Sequence, residues 1–151
     1  MLRMPICPLP ESTARRLTST LVIASPDQLL KELVDNAIDS GATSVEVIVS
    51  ANALDKLEVR DNGHGISPDD FDALGRVGHT SKLRSFEELS TLGGTSLGFR
   101  GAALASVNTL ADITITTRAS TKKVATVVSL AKGGGVEKQG VACAPSALLS
   151  V

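Results

Sequence analysis

Residues 26–40 read PDQLLKELVDNAIDS, in which Leu30, Leu33, Val34, Ala37 and Ile38 recur at the three-four spacing of a helix with one buried face. Ser25, Pro26 and Asp27 make a suitable opening: Ser can cap, Pro suits the first turn and Asp complements the helix dipole. Gly41 supplies the stop. Glu32, Asn36 and Asp39 fall opposite the apolar stripe, where polar side chains ordinarily face water. Next, TSVEVIVS (43–50) alternates Val45, Val47 and Val49, and DKLEVRDNGHGI (55–66) repeats the period with Leu57 and Val59, which predicts two half-buried strands. The short ANALD connection makes them an antiparallel pair.

Residues 67–90 hold two short helical patterns, opened by Ser67–Pro68 and by Ser85, with the glycine-punctuated loop GRVGHTSK between them. In STLGGTSLGFRGAALASV (90–107), four glycines precede an Ala/Leu-rich stretch expected to be helical from about Gly101. ADITITTRA (111–119) and KVATVVSL (123–130) are two further alternating strands around a turn at Ser120–Lys123. The expected class is α+β, with helices over one face of a mostly antiparallel sheet. From Lys132 the pattern decays, so residues 1–131 are expected to form the domain and residues 132–151 a divergent or disordered tail.

Composition sharpens this picture. At 151 residues the chain is about one domain long. It is 42% hydrophobic but has no Trp or Tyr and three Phe, so the core must be aliphatic. A net charge of −1 and a pI near 6.1 argue against a nucleic-acid surface working by bulk phosphate neutralisation, and the pairs Arg15–Arg16 and Lys122–Lys123 are too short to change that. Cys7 and Cys143 stand far apart in no ligand-spaced motif, which fits a reducing compartment and gives no zinc site. No apolar run approaches the roughly 20 residues of a membrane span, and Pro and Glu interrupt MLRMPICPLPESTARR where a secretory signal would be apolar. The expectation is a soluble intracellular protein.

Three segments carry candidate chemistry. DNGHGI reads as a tight turn, since Asn-Gly favours positive φ. The alternative is a base-binding turn, with Asp61 accepting a hydrogen bond from an amino group while Gly63 and Gly65 let the backbone approach a flat ring. SLGFRGAALAS places Gly98 and Gly101 around a turn into a helix start, where amides and dipole attract phosphate; the plain alternative is a glycine-rich connector. Thr80, Ser81 and Lys82 add two hydroxyls and an ammonium suited to phosphate or ribose, or simply a polar surface loop.

Taken in order, KELVDNAIDSGATSVEV, VRDNGHGI, HTSK and LGFRGAALAS resemble the ATP-binding region of the GHKL superfamily, and within it the MutL mismatch-repair family, over roughly residues 11 to 118. The TSK and GFRG pair is unlike the lids of the chaperone, topoisomerase and histidine-kinase branches. The resemblance implies a GHKL-type sandwich of helices on a mostly antiparallel sheet, with the Glu/Asn face of the first helix turned to a nucleotide. Carried over by match, Glu32 is the general base and Asn36 ligates Mg²⁺ between protein and phosphates; Asp61 reads adenine and Gly65 lies against the base. Thr80, Ser81, Lys82, Gly98, Phe99, Arg100, Gly101 and Ala102 surround the phosphates, and Asp39 supports the helix terminus. A carboxylate and an amide four residues apart share a helix face, and a water base plus an oxygen ligand for a hard cation suit metal-assisted hydrolysis.

The match departs at two places. Ala102 stands where the family has an acid, which removes a favourable dipole contact but leaves the amides. The family's Gly-Thr strand and its second, lysine-bearing domain are not recognisable in GGGVEKQGVACAPSALLSV, so the fold is expected to be incomplete at the C-terminus and the chain to be a fragment of a longer protein, most similar to eukaryotic PMS-type subunits. By resemblance it is an ATP-binding, slowly hydrolysing module, with ATP and Mg²⁺ as ligands. The same resemblance implies a second MutL homologue and a MutS-type mismatch-recognition complex as partners, a nuclear location, and contact with DNA in the full-length protein. The competing readings are a nucleotide-binding interaction fragment without turnover, and a chain that does not fold stably alone.

Overall fold

The computed structural model describes residues 6–11, 25–52, 55–80, 103–142 and 147–150. In chain order the elements are β1 (Cys7–Pro8), α1 (Pro26–Asp39), β2 (Val45–Val49), β3 (Leu57–Asp61), a 3-10 helix (Pro68–Ala73), β4 (His79–Thr80), α2 (Ala103–Asn108), β5 (Thr114–Thr117), β6 (Ala125–Leu130), β7 (Val136–Ala142) and β8 (Ala147–Ser150). Six strands form one sheet in the order β2-β3-β8-β5-β6-β7, every neighbouring pair antiparallel. β1 and β4 make a separate two-stranded ribbon. The class is α+β, as the patterning predicts.

Val47 pairs with Val59, Val59 with Leu149, Leu149 with Ile115 and Ile115 with Val128, so one cross-strand row runs over five strands. Val59, Ile115 and Val128 of that row are buried against Leu29 and Leu33 of α1, Phe71 and Leu74 at the 3-10 helix, and Val107 of α2. Among the described residues the core is aliphatic apart from Phe71, consistent with an aromatic-poor chain.

α1 begins and ends where expected, but its buried stripe is rotated. Leu29, Leu33 and Ala37 are buried, Leu30 and Val34 are half-buried, and Ile38 is 50% exposed. Asp35 is also buried, although it lies on the opposite side of the helix from this stripe, and Lys31, one turn earlier, pairs with it at 2.5 Å. Ser25 stands at the N-cap position in extended backbone without capping through its hydroxyl; it hydrogen-bonds Asp27 instead, which holds that carboxyl below the usual range. In β3, Leu57 and Val59 face the core as the alternation predicts, yet Glu58 on the other face is also buried, at 2% exposure. Lys56 Nζ at 2.6 Å and Arg60 Nε at 2.5 Å from its two oxygens explain how a carboxylate survives there. β2, at the sheet edge, leaves Val47, Ile48 and Val49 more than a third exposed and so is less buried than its alternation implies.

Two expectations need correction. The loop GRVGHTSK contains a strand, β4, made possible by positive φ at Gly75 and Gly78 on the way into it. More consequential is the expected tail. Val136–Ala142 is β7, paired along β6, and Ala147–Ser150 is β8, inserted between β3 and β5 in the middle of the sheet. Both were illegible for a physical reason: the Gly133–Gly135 turn and a polar, exposed β7 carry no alternation, and β8 is only four residues long.

Candidate nucleotide site

The turn Asp61–Ile66 leaves the end of β3 and is held from both sides. On one side stands the C-terminus of α1. The His64 N–H donates to Ser40 O at 3.0 Å, and a side chain on Gly63 would collide with Ser40 Oγ. The Ser40 hydroxyl donates to Ala37 O at 2.7 Å and lies 3.5 Å from Asp61 Oδ1. On the other side, the end of β5 supplies Thr117, whose Oγ1 accepts the Ile66 N–H at 2.8 Å, and the Ser120 N–H donates to His64 O at 3.1 Å. Gly65, at φ +68°, sits with Arg118 O where its Cβ would be, 2.3 Å away.

Within the turn, Asp61 Oδ1 accepts the Gly63 N–H at 2.8 Å, an Asx-type bond that closes the bend. Asn62 is fully committed to the chain entering β2: its Oδ1 accepts the N–H groups of Thr43 and Ser44 at 2.8 and 2.9 Å, and its Nδ2 donates to Thr43 Oγ1 at 2.8 Å. The turn and base-binding readings of DNGHGI are therefore compatible. Local bonds use one oxygen of Asp61 and both the oxygen and the nitrogen of the Asn62 side chain, and both glycines have a packing reason for lacking a side chain.

Glu32, Asn36 and Asp39 are each half-buried, neither in the apolar stripe nor on a fully solvated face. Glu32 and Asn36 lie one turn apart on α1, the helix whose C-terminus grips the Asp61–Ile66 turn. Thr80, buried at the end of β4, pairs with Cys7, and the ribbon is anchored by Leu9 N–H to Gly78 O and by Ile6 N–H to Asp70 Oδ1, both 2.9 Å. Ser81, Lys82, Gly98, Phe99, Arg100, Gly101 and Ala102 lie outside the described residues, as does the helical pattern opened by Ser85. The residues that sequence reasoning passed over are Ser40, Asn62 and Thr117. Of these only Asn62 carried a local signal, as the central residue of Asp-Asn-Gly.

Among the described residues no group of three or more His, Cys, Asp or Glu is arranged to hold a metal, and no helix is long and apolar enough to cross a membrane. The lack of a protein-built cage is compatible with Mg²⁺, which is held through one or two protein oxygens with the remainder from phosphate and water. Asn36, an amide oxygen donor on a half-buried helix face, fits that donor chemistry.

Helices over one face of an antiparallel sheet, with an acid-amide pair on the helix that grips an Asp-Asn-Gly turn, define a GHKL-type ATPase domain. The chain belongs to the histidine kinase-, DNA gyrase B-, and HSP90-like ATPase family, whose model matches residues 24–145. Within that family its similarity runs to mismatch-repair proteins. It is 41% identical over 131 residues to PMS1 protein homolog 1 of Homo sapiens, covering 87% of this chain and 14% of that protein. It is 38% identical over 123 residues to the DNA mismatch repair protein MutL of Colwellia psychrerythraea, covering 81% of this chain and 18% of that protein. The solved Aquifex aeolicus MutL ATPase domain complexed with ADP superposes with a TM-score of 0.56 at 25% identity, over 86% of this chain and 42% of that one. The chain thus spans less than a fifth of the length of these two curated relatives.

Proposed function

We propose that this chain is the ATP-binding module of a MutL-type DNA mismatch-repair protein, with Glu32 as general base, Asn36 as the protein ligand to Mg²⁺ and Asp61 as the reader of adenine. The observation that carries the reading is the Asp61–Ile66 turn. Oδ1 of Asp61 is engaged by the Gly63 amide, which leaves Oδ2 as the acceptor for an exocyclic amine. The matched Aquifex domain holds ADP, which supports an adenine nucleotide as the ligand. Glu32, one turn before Asn36, is spaced to act on a water beside the phosphates that Asn36 approaches. Bound Mg²⁺ would neutralise phosphate charge there. Thr80, Ser81 and Lys82, with Gly98 through Ala102, complete the phosphate side.

We further propose that the module works with a second MutL homologue and a MutS-type complex, in contact with DNA and in the nucleus; the MutL relative is named a DNA mismatch repair protein, which supports the repair role. A second reading, nucleotide binding without turnover by these 151 residues, is favoured by the small share of the relatives' length that they span. Titration with a non-hydrolysable ATP analogue, with and without Mg²⁺, tests both. Saturable Mg²⁺-dependent binding is expected, and its absence would overturn both. Steady-state phosphate release, with Glu32→Ala as the contaminant control, separates them.

A further inference from the structure

The turn that meets the base is gripped by a residue that no sequence motif marks. Thr117 is 2% exposed at the last position of β5, one residue beyond the Thr116–Leu148 pair. Asp61 pairs with Ala147 on the other side of the same strand, so Asp61 and Thr117 share one cross-strand row two strands apart. Ile115, Val59 and Thr117 have the same parity in the pleat, so that row belongs to the face on which α1 packs. Thr117 also pairs with Thr126 of β6, and from the sheet face its hydroxyl accepts the Ile66 N–H at 2.8 Å. Two backbone contacts follow directly in sequence: Arg118 O beneath Gly65 and the Ser120 N–H on His64 O.

We propose that Thr117 is a positioning residue for base selectivity: through the Ile66 amide it fixes the height of the Gly65–Ile66 backbone relative to the Asp61 carboxylate, and so the fit of the 6-amino group of a purine. This rests on Asp61 reading adenine, as proposed above. The logic is one of preorganisation. Asp61 is anchored to β3 and to the Gly63 amide, whereas the far end of the turn hangs on β5, and the distance between the two ends sets where a flat ring lies against Gly65. Valine at 117 keeps shape and removes the acceptor; serine keeps the acceptor and removes a methyl.

The experiment uses the 151-residue chain and measures dissociation constants for ADP and for purine riboside 5′-diphosphate, which lacks the 6-amino group. Thr117→Val is expected to cut the preference for ADP about three- to tenfold, the range set by one hydrogen bond, with Thr117→Ser within about twofold of the parent. Equal weakening of both nucleotides by Thr117→Val, or an unchanged preference, would overturn the proposal, as would a Thr117→Ser variant behaving like valine. Asp61→Ala keeps the two levels apart. If it removes the preference while Thr117→Val leaves it intact, only Thr117 is misassigned; if the parent has no preference for ADP, the reading of Asp61 fails and this proposal with it. Should the valine variant not fold, hydrogen exchange at the Ile66 amide of the parent chain decides: strong protection is expected, and free exchange refutes the bond on which the proposal stands.

Discussion

Gly65→Ala is the most exacting test of how the turn is built. At φ +68° a residue with a Cβ carries a left-handed penalty of about 1–2 kcal/mol. The structure adds a second cost. The new methyl would lie 2.3 Å from Arg118 O, 2.7 Å from Arg118 C and 3.1 Å from Ala119 N, all backbone atoms, so no side chain can swing away. Forcing backbone apart in packed surroundings costs about 1–3 kcal/mol, which brings the total to about 2–5 kcal/mol out of a stability of roughly 5–15 kcal/mol for an ordinary domain. Gly41→Ala is the internal control: φ is +74°, but nothing lies within 4 Å, so only the conformational part of about 1–2 kcal/mol applies. Urea denaturation of both variants, read as the shift in midpoint at constant slope, measures the difference. Gly65→Ala should be the less stable by about 1–3 kcal/mol and should also lose nucleotide affinity. Equal destabilisation would mean that the Arg118 carbonyl is no wall, and that the seat of the turn on β5 has been misread.

Glu32→Ala should abolish measurable hydrolysis while sparing nucleotide binding, checked by phosphate release beside analogue titration; turnover within a few-fold of the parent contradicts the general-base role. Asn36→Ala should weaken Mg²⁺-dependent binding of an ATP analogue by removing an oxygen ligand, and equal affinity with and without the substitution removes that assignment. The chain alone should release phosphate about 10²–10³-fold more slowly than a version extended to the family's second domain, the scale of one missing transition-state donor; equal Glu32-dependent rates contradict this. Lys56, and after it Arg60, hold the Glu58 carboxyl below its ordinary range against the opposing effect of burial. A lowered folded-state pKa stabilises fully above the usual carboxylate range, and that contribution is lost as pH falls through the lowered value. The urea midpoint should therefore drop on acidification, and Glu58→Gln should be less stable at neutral pH with a shallower drop; an identical pH profile for the two proteins contradicts the ion-pair account.

What the sequence determined by itself was everything that local physics encodes. Three-four spacing and the Ser-Pro-Asp opening located α1 nearly to the residue, and period-two alternation located β2, β3, β5 and β6 with their hairpin partners. Glu32, Asn36 and Asp61 stand out in the sequence as residue types at spacings, and the roles proposed for them rest on the family resemblance. Tertiary structure decided the rest. Which side of α1 is buried is set by the packing of Leu29 and Leu33 on the sheet, and whether Glu58 can enter the sheet's far face depends on Lys56 and Arg60 flanking it. β8 joins β3 to β5 through pairings with residues some 35 and 90 positions earlier, which no window of neighbouring residues records. The grip on the Asp61–Ile66 turn is of the same kind. Thr117 lies 51 residues from Ile66 in the chain, and a threonine in an alternating strand looks like any other until the sheet brings its hydroxyl beneath an amide with no ladder partner of its own.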